Sequence, residues 1–87
     1  MYATLINTED TILAAITAIK TASETAGVDE TLLEQARQLH REAQMYWDLI
    51  AAENSMGFHN PEYVLTSLYH ATDVARQAQI VALEAMP

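Results

Sequence analysis

The sequence contains no cysteine. No disulfide can staple the chain, no thiolate can hold a metal, and no thioether can anchor a haem covalently. The same absence leaves the redox compartment open. Basic residues are also few. Twelve acidic side chains oppose four basic ones, for a formal net charge of −8. Lys20, Arg37, Arg41 and Arg76 are scattered along the chain. A nucleic-acid footprint is a cluster of Lys and Arg, and so is a polybasic membrane-surface patch, so neither partner is expected. No apolar run approaches the ~20 residues of a membrane span, so no membrane insertion is expected. No basic stretch precedes an apolar one at the start, so no signal peptide is read there.

What is present is apolar and helical. Hydrophobic residues make up 51% of the 87 positions, and 15 of them are alanine. Alanine buries little area, and a chain this short forms at most one domain, residues 1–87. Small cores often need a staple, a metal or a partner. With no staple available, a partner surface is expected.

Two glycines and two prolines divide the chain into three helical stretches. The first is expected over residues 8–26, with Asn7 or Thr8 as N-cap, Glu9 and Asp10 at the positive end of the helix dipole, and Gly27 as the left-handed terminator. Ile12, Ile16, Ile19 and Ala26 share one face of it. The second is expected over 29–54, capped by Asp29 with Glu30 in its first turn. Leu32, Ala36, Leu39, Ala43, Tyr46 and Ile50 recur there at alternating spacings of four and three, a heptad-like seam.

Ser55 to Pro61 breaks the pattern, and Asn60-Pro61 reads as an N-cap followed by proline at the first helical position. The third helix is expected over 61–85. Val64, Leu68, Ala71, Ala75, Ala78, Ala82 and Ala85 form a second four–three seam, widened by Leu65, Tyr69, Ile80 and Leu83. The expected fold is all-α: three helices, the last two long and antiparallel, the bundle completed by dimerisation through the alanine-lined seam. A connection of about six residues makes the last two helices antiparallel neighbours.

The candidate chemistry is sparse. His40 and His70 sit on helices, where a solvated or core-edge role is the default. No HExxH or Glu-x-x-His pattern supports a metal bundle. Glu53 has no nucleophile near it, and Tyr46 and Trp47 are explained by packing. Asp48 is placed to pair with Arg41 or to cap a neighbour. His59 differs, because it lies between Phe58 and Asn60 in a tight turn before a helix start. There an imidazole can present a nitrogen to a metal. The alternative is a hydrophobic staple from Phe58 that leaves His59 exposed at the helix entrance.

Two runs carry a resemblance. Leu39-His40-Arg41-Glu42-Ala43-Gln44-Met45-Tyr46-Trp47-Asp48 is followed by Ala52-Glu53-Asn54-Ser55-Met56-Gly57-Phe58-His59-Asn60-Pro61. Together they resemble the C-terminal region of the ammonia-forming cytochrome c nitrite reductases, the pentahaem cytochrome c-552 family. The second run matches the family pattern in full, and Met45 departs from a more usual aromatic. The resemblance covers about residues 26–79 closely and the first helix loosely.

It implies a periplasmic oxidoreductase that reduces nitrite to ammonia by electron transport through haem c, with calcium also bound. It implies His59 as a distal axial ligand to one bis-histidine haem iron, the long helices as a homodimer interface, and an upstream haem-bearing domain as partner. The family's haem-attachment cysteines, catalytic residues and calcium ligands lie upstream of this region. The 87 residues therefore look like a C-terminal domain or a stand-alone relative of one, with no catalytic residue of their own, and the chain alone is expected to be inactive. The other reading is an autonomous helical interaction module with no redox role. There the turn at His59 is only a connector.

Overall fold

The computed structural model describes the backbone of residues 2–55 and 61–87 and the side chains of 6–53 and 62–87. Three helices account for nearly all of it: α1 (Tyr2–Ser23), α2 (Glu30–Ser55) and α3 (Pro61–Ala85). No strand occurs among the described residues, in line with the all-α expectation. The expected break at residues 56–60 lies outside the described residues.

The connection from α1 to α2 follows local chemistry. Gly27 adopts φ of +79°, the left-handed conformation that ends many helices and that residues with a Cβ resist. Two residues on, the Asp29 carboxylate accepts hydrogen bonds from the backbone N–H groups of Thr31 (3.0 Å) and Leu32 (3.1 Å), which caps α2. The Asp29 N–H donates to the Ala85 carbonyl at 2.8 Å, so the capped start of α2 is tied to the last turn of α3.

α3 is the central helix and packs against both others, while α1 and α2 touch far less. Four layers of side chains make the core. Ala22, Leu33 and Ala85 form one end. Ala18, Ala36 and Ala82 come next, then Ile12, Ala43, Val74 and Ala75. Ile50, Val64 and Leu68 close the other end, with Trp47 bridging the last two layers. Along this stack the residue numbers of α2 rise as those of α1 and α3 fall. The bundle is a rod with extents of 47 × 19 × 16 Å.

The α3 seam is as expected. All seven of its residues, from Val64 to Ala85, are buried. They are buried within the single chain, however, so this seam is not an open surface awaiting a second copy. Alanine lets α1 and α2 close over α3 from two sides, because small side chains allow close helix approach.

Four expectations need correction. First, α1 starts at Tyr2 rather than near residue 8. Thr8 is no N-cap; it is fully buried, and its hydroxyl lies 2.6 Å from that of Thr72. Second, the α1 face is turned. Ile12 is buried, but Ile16 is 41% exposed and Ala26 lies beyond the helix, and the inward line runs through Thr8, Ile12, Ala15, Ala18 and Ala22. Third, the α2 seam holds at Ala36, Ala43 and Ile50, but Leu33 takes the interior place expected of Leu32. Its buried residues are Leu33, Ala36, Ala43 and Ile50, and Leu32, Leu39 and Tyr46 flank them half-buried. Asp48 does not pair with Arg41 either. It accepts from the Gln44 amide at 3.0 Å, and Arg41 bonds Glu34 at 3.1 Å.

Candidate functional site

The strongest site residue from sequence, His59, lies outside the described residues. The other two histidines lie on helices and are not brought together. His40 occupies the inward side of α2, between Ala36 and Ala43. Its ring is half-buried, and its Nε2 is buried without a hydrogen-bond partner. Burial lowers its pKa below the usual value of 6.5, and the neighbouring Arg41 charge lowers it further. Both effects favour the neutral ring.

His70 is exposed on α3. Its Nε2 lies 3.9 Å from a Glu42 carboxylate oxygen, and its ring meets the Tyr46 ring edge-on at 4.7 Å and 87°. These contacts explain Tyr46 as packing between α2 and α3. Among the described residues no group of three or more His, Cys, Asp or Glu side chains is placed to hold a metal.

The sequence reading missed a groove between α1 and α2. Glu9, Ile12, Leu13 and Ile16 form one wall, Gln44 and Trp47 the other, around about 220 Å³. It exists because α1 and α2 both pack on α3 and only weakly on each other. The available signal was α1 itself, where residues 11–19 are apolar on every side of the helix. Such a helix has more apolar surface than one neighbour can cover. The groove falls below the ~300–1,000 Å³ of small-molecule sites, so side chains suit it better than a cofactor.

The sequence profile of the cytochrome c552 family matches residues 1–86. The chain belongs to that family. A cytochrome c nitrite reductase subunit NrfA from Nitratidesulfovibrio vulgaris is 35% identical over 86 residues, which cover 93% of this chain and 16% of that protein. The chain thus spans about a sixth of the length of this relative. No solved structure matches the chain.

For a cytochrome c552 chain the absence of cysteine is decisive on one point. The family is one of haem c enzymes, and no haem can be attached covalently to these 87 residues. No helix among the described residues is long and apolar enough to cross a membrane.

Proposed function

We propose that the chain is a single helical unit, residues 1–87, equivalent to the C-terminal region of a periplasmic multihaem nitrite reductase that forms ammonia. The match of the family profile across residues 1–86 carries this reading, and the run from Ala52 to Pro61 supports it in detail. In the proposed parent, haem c and calcium sit in an upstream domain, and that domain is the partner of this unit. Haem supplies the electron chemistry there. This chain's own part is packing, including a pairing with a second copy through its long helices, and one imidazole from His59 as an axial ligand to haem iron. The proposed hairpin of α2 and α3 is antiparallel, supported by the layers that join Leu33 with Ala85 and Ile50 with Val64.

The axial role of His59 is tested in the full-length enzyme. His59→Ala should alter the signal of one bis-histidine haem and shift its potential, because axial-ligand identity is a main lever on haem potential. The number of covalently attached haems should not change. If every bis-histidine signal survives the substitution, the axial role is wrong. The 87-residue chain alone should form no ammonium from nitrite and a reduced dye, and detectable turnover would overturn the placing of catalysis upstream.

The second reading, an autonomous helical module, is favoured by one observation. The α3 seam from Val64 to Ala85 is completely buried within the chain, so the fold closes its core without a haem domain. An absorption spectrum with added haem separates the readings: the module predicts no perturbation attributable to His59.

A further inference from the structure

His40 is a polar ring at the loosest seam of the bundle. Leu33, His40 and Trp47 follow one another at spacings of seven, so they lie on one line along α2. At one end of that line Leu33 packs against Ala22 of α1. At the other end Trp47 faces Ile12, Leu13 and Ile16 of α1 across the groove. His40 lies between them and so looks onto the stretch of α1 from Ile12 to Ala22. Of the three helix pairs, α1 and α2 touch least. At this level the His40 Nε2 is buried without a hydrogen-bond partner.

The charges around this ring are nearly all of one sign. In α1 the only charged residue from Ile12 to Ala22 is Lys20, which is exposed. In α3 the adjoining layers place His40 between the level of Val74 and Ala75 and that of Ala82. The only charged residue in that interval is Arg76, also exposed. In α2, Arg37 stands three positions before His40 and Arg41 one after. The acids of α2 within two turns are Glu34 and Glu42, and both are engaged elsewhere. Glu34 meets Arg37 at 3.7 Å and Arg41 at 3.1 Å, and Glu42 lies 3.9 Å from the His70 Nε2. A proton on His40 therefore adds positive charge beside positive charge, at a partly dehydrated site with no free carboxylate at hand.

We infer that His40 is a proton-operated latch on the groove: when the ring takes up a proton it swings out of the α1–α2 seam to solvent, α1 draws away from α2, and the groove beside Trp47 widens. The ring is half-buried, so the way to solvent is short. The bundle does not unfold in this step. α1 stays docked on α3, where its packing is more extensive and where the Thr8 and Thr72 hydroxyls meet at 2.6 Å in the core. The neutral ring tolerates the seam, and the charged ring gains hydration by leaving it. Burial first, and then Arg41, disfavour the charged ring. The latch is therefore shut above pH 6.5 and opens as pH falls below that value.

The test reads Trp47, the one tryptophan of the chain. The 87-residue chain is taken from about pH 7 to about pH 5 at low protein concentration. Trp47 emission should move to longer wavelength and its quenching by acrylamide should rise, while helix content by circular dichroism holds. His40→Gln and His40→Leu, neutral at every pH, should each keep the behaviour of the neutral solution throughout. His70→Gln removes the ring that meets Tyr46 and should leave the response intact. A silent Trp47 overturns the latch. So does a response that survives both His40 variants, or one that His70→Gln abolishes, because another group then drives it. A response that comes only with loss of helix is unfolding of the bundle, and that outcome overturns the opening of the seam.

Discussion

Thr8 and Thr72 are the buried polar side chains among the described residues, and they face each other across α1 and α3. The Thr72 hydroxyl donates to the Leu68 carbonyl at 2.8 Å, which leaves its oxygen free to accept from Thr8. Thr8→Val therefore removes one donor and leaves Thr72 satisfied, at a cost of about 1 kcal/mol. Thr72→Val removes that partner from the Thr8 hydroxyl, at a comparable cost of about 1 kcal/mol. The double Val variant should cost less than the sum, because the two hydroxyls are one unit. Urea unfolding of the three variants measures this directly. His40 gives a second residue-scale outcome. Its folded pKa is lowered, so near and below its unfolded value of 6.5 the unfolded chain binds more protons than the folded one. The stability linked to His40 is present above pH 6.5 and is lost as pH falls from there toward the depressed folded pKa. His40→Leu should flatten that slope between pH 7 and 5 in thermal melts. An unchanged slope would mean that other groups carry it.

At the scale of the helix, α3 decides the fold. Ala75 and Ala78 have no exposed surface, so Ala75→Glu or Ala78→Glu buries a charge with no partner. The expected result is loss of helix content, read by circular dichroism, and not a folded monomer. Gly27→Ala should cost about 1–2 kcal/mol, the penalty for a Cβ in the left-handed region, since only Pro87 Cγ at 3.8 Å lies near the added atom. The three helices were legible to different degrees for physical reasons. In α3 Ala71 lies between His70 and Thr72, and Ala78 between Gln77 and Gln79, so these two isolated apolar residues specify one face. In α2 the apolar residues come in adjacent pairs, Leu32-Leu33, Tyr46-Trp47 and Leu49-Ile50, and periodicity admits two faces 100° apart. Packing against α3 chose Leu33 over Leu32 and Ile50 over Leu49 for the interior, and left Tyr46 and Trp47 both half-buried. In α1, Thr8 followed by two acids looks like a cap, and only the Thr72 hydroxyl on another helix reveals it as interior. The groove was illegible because it depends on which pair of helices packs least. The His59 motif was legible only through its resemblance to a family.

The whole molecule is a thin rod carrying a large charge of one sign. A net charge of −8 on a body 47 × 19 × 16 Å puts most like charges within one or two helix diameters of each other. Such self-repulsion favours the expanded chain, where the charges move apart. Against it stand few attractions. Arg37 and Arg41 both engage Glu34, at 3.7 and 3.1 Å, and these pairs are exposed. Exposed pairs contribute ~0–1 kcal/mol each. Repulsion should therefore dominate the response to salt. The Debye length is about 30 Å at 0.01 M, long enough for charges across the width of the rod to act on each other, and about 8 Å at 0.15 M, too short for most of them. Raising sodium chloride between these limits should raise the urea midpoint with little change in slope, the signature of a change in stability rather than in surface exposed. Most of the gain should appear by about 0.15 M, because further salt screens distances at which few charge pairs remain. The measurement is made at low protein concentration, so that mass action through a second copy does not add to the midpoint. A midpoint that falls with salt would show that the Glu34 pairs outweigh the acidic excess.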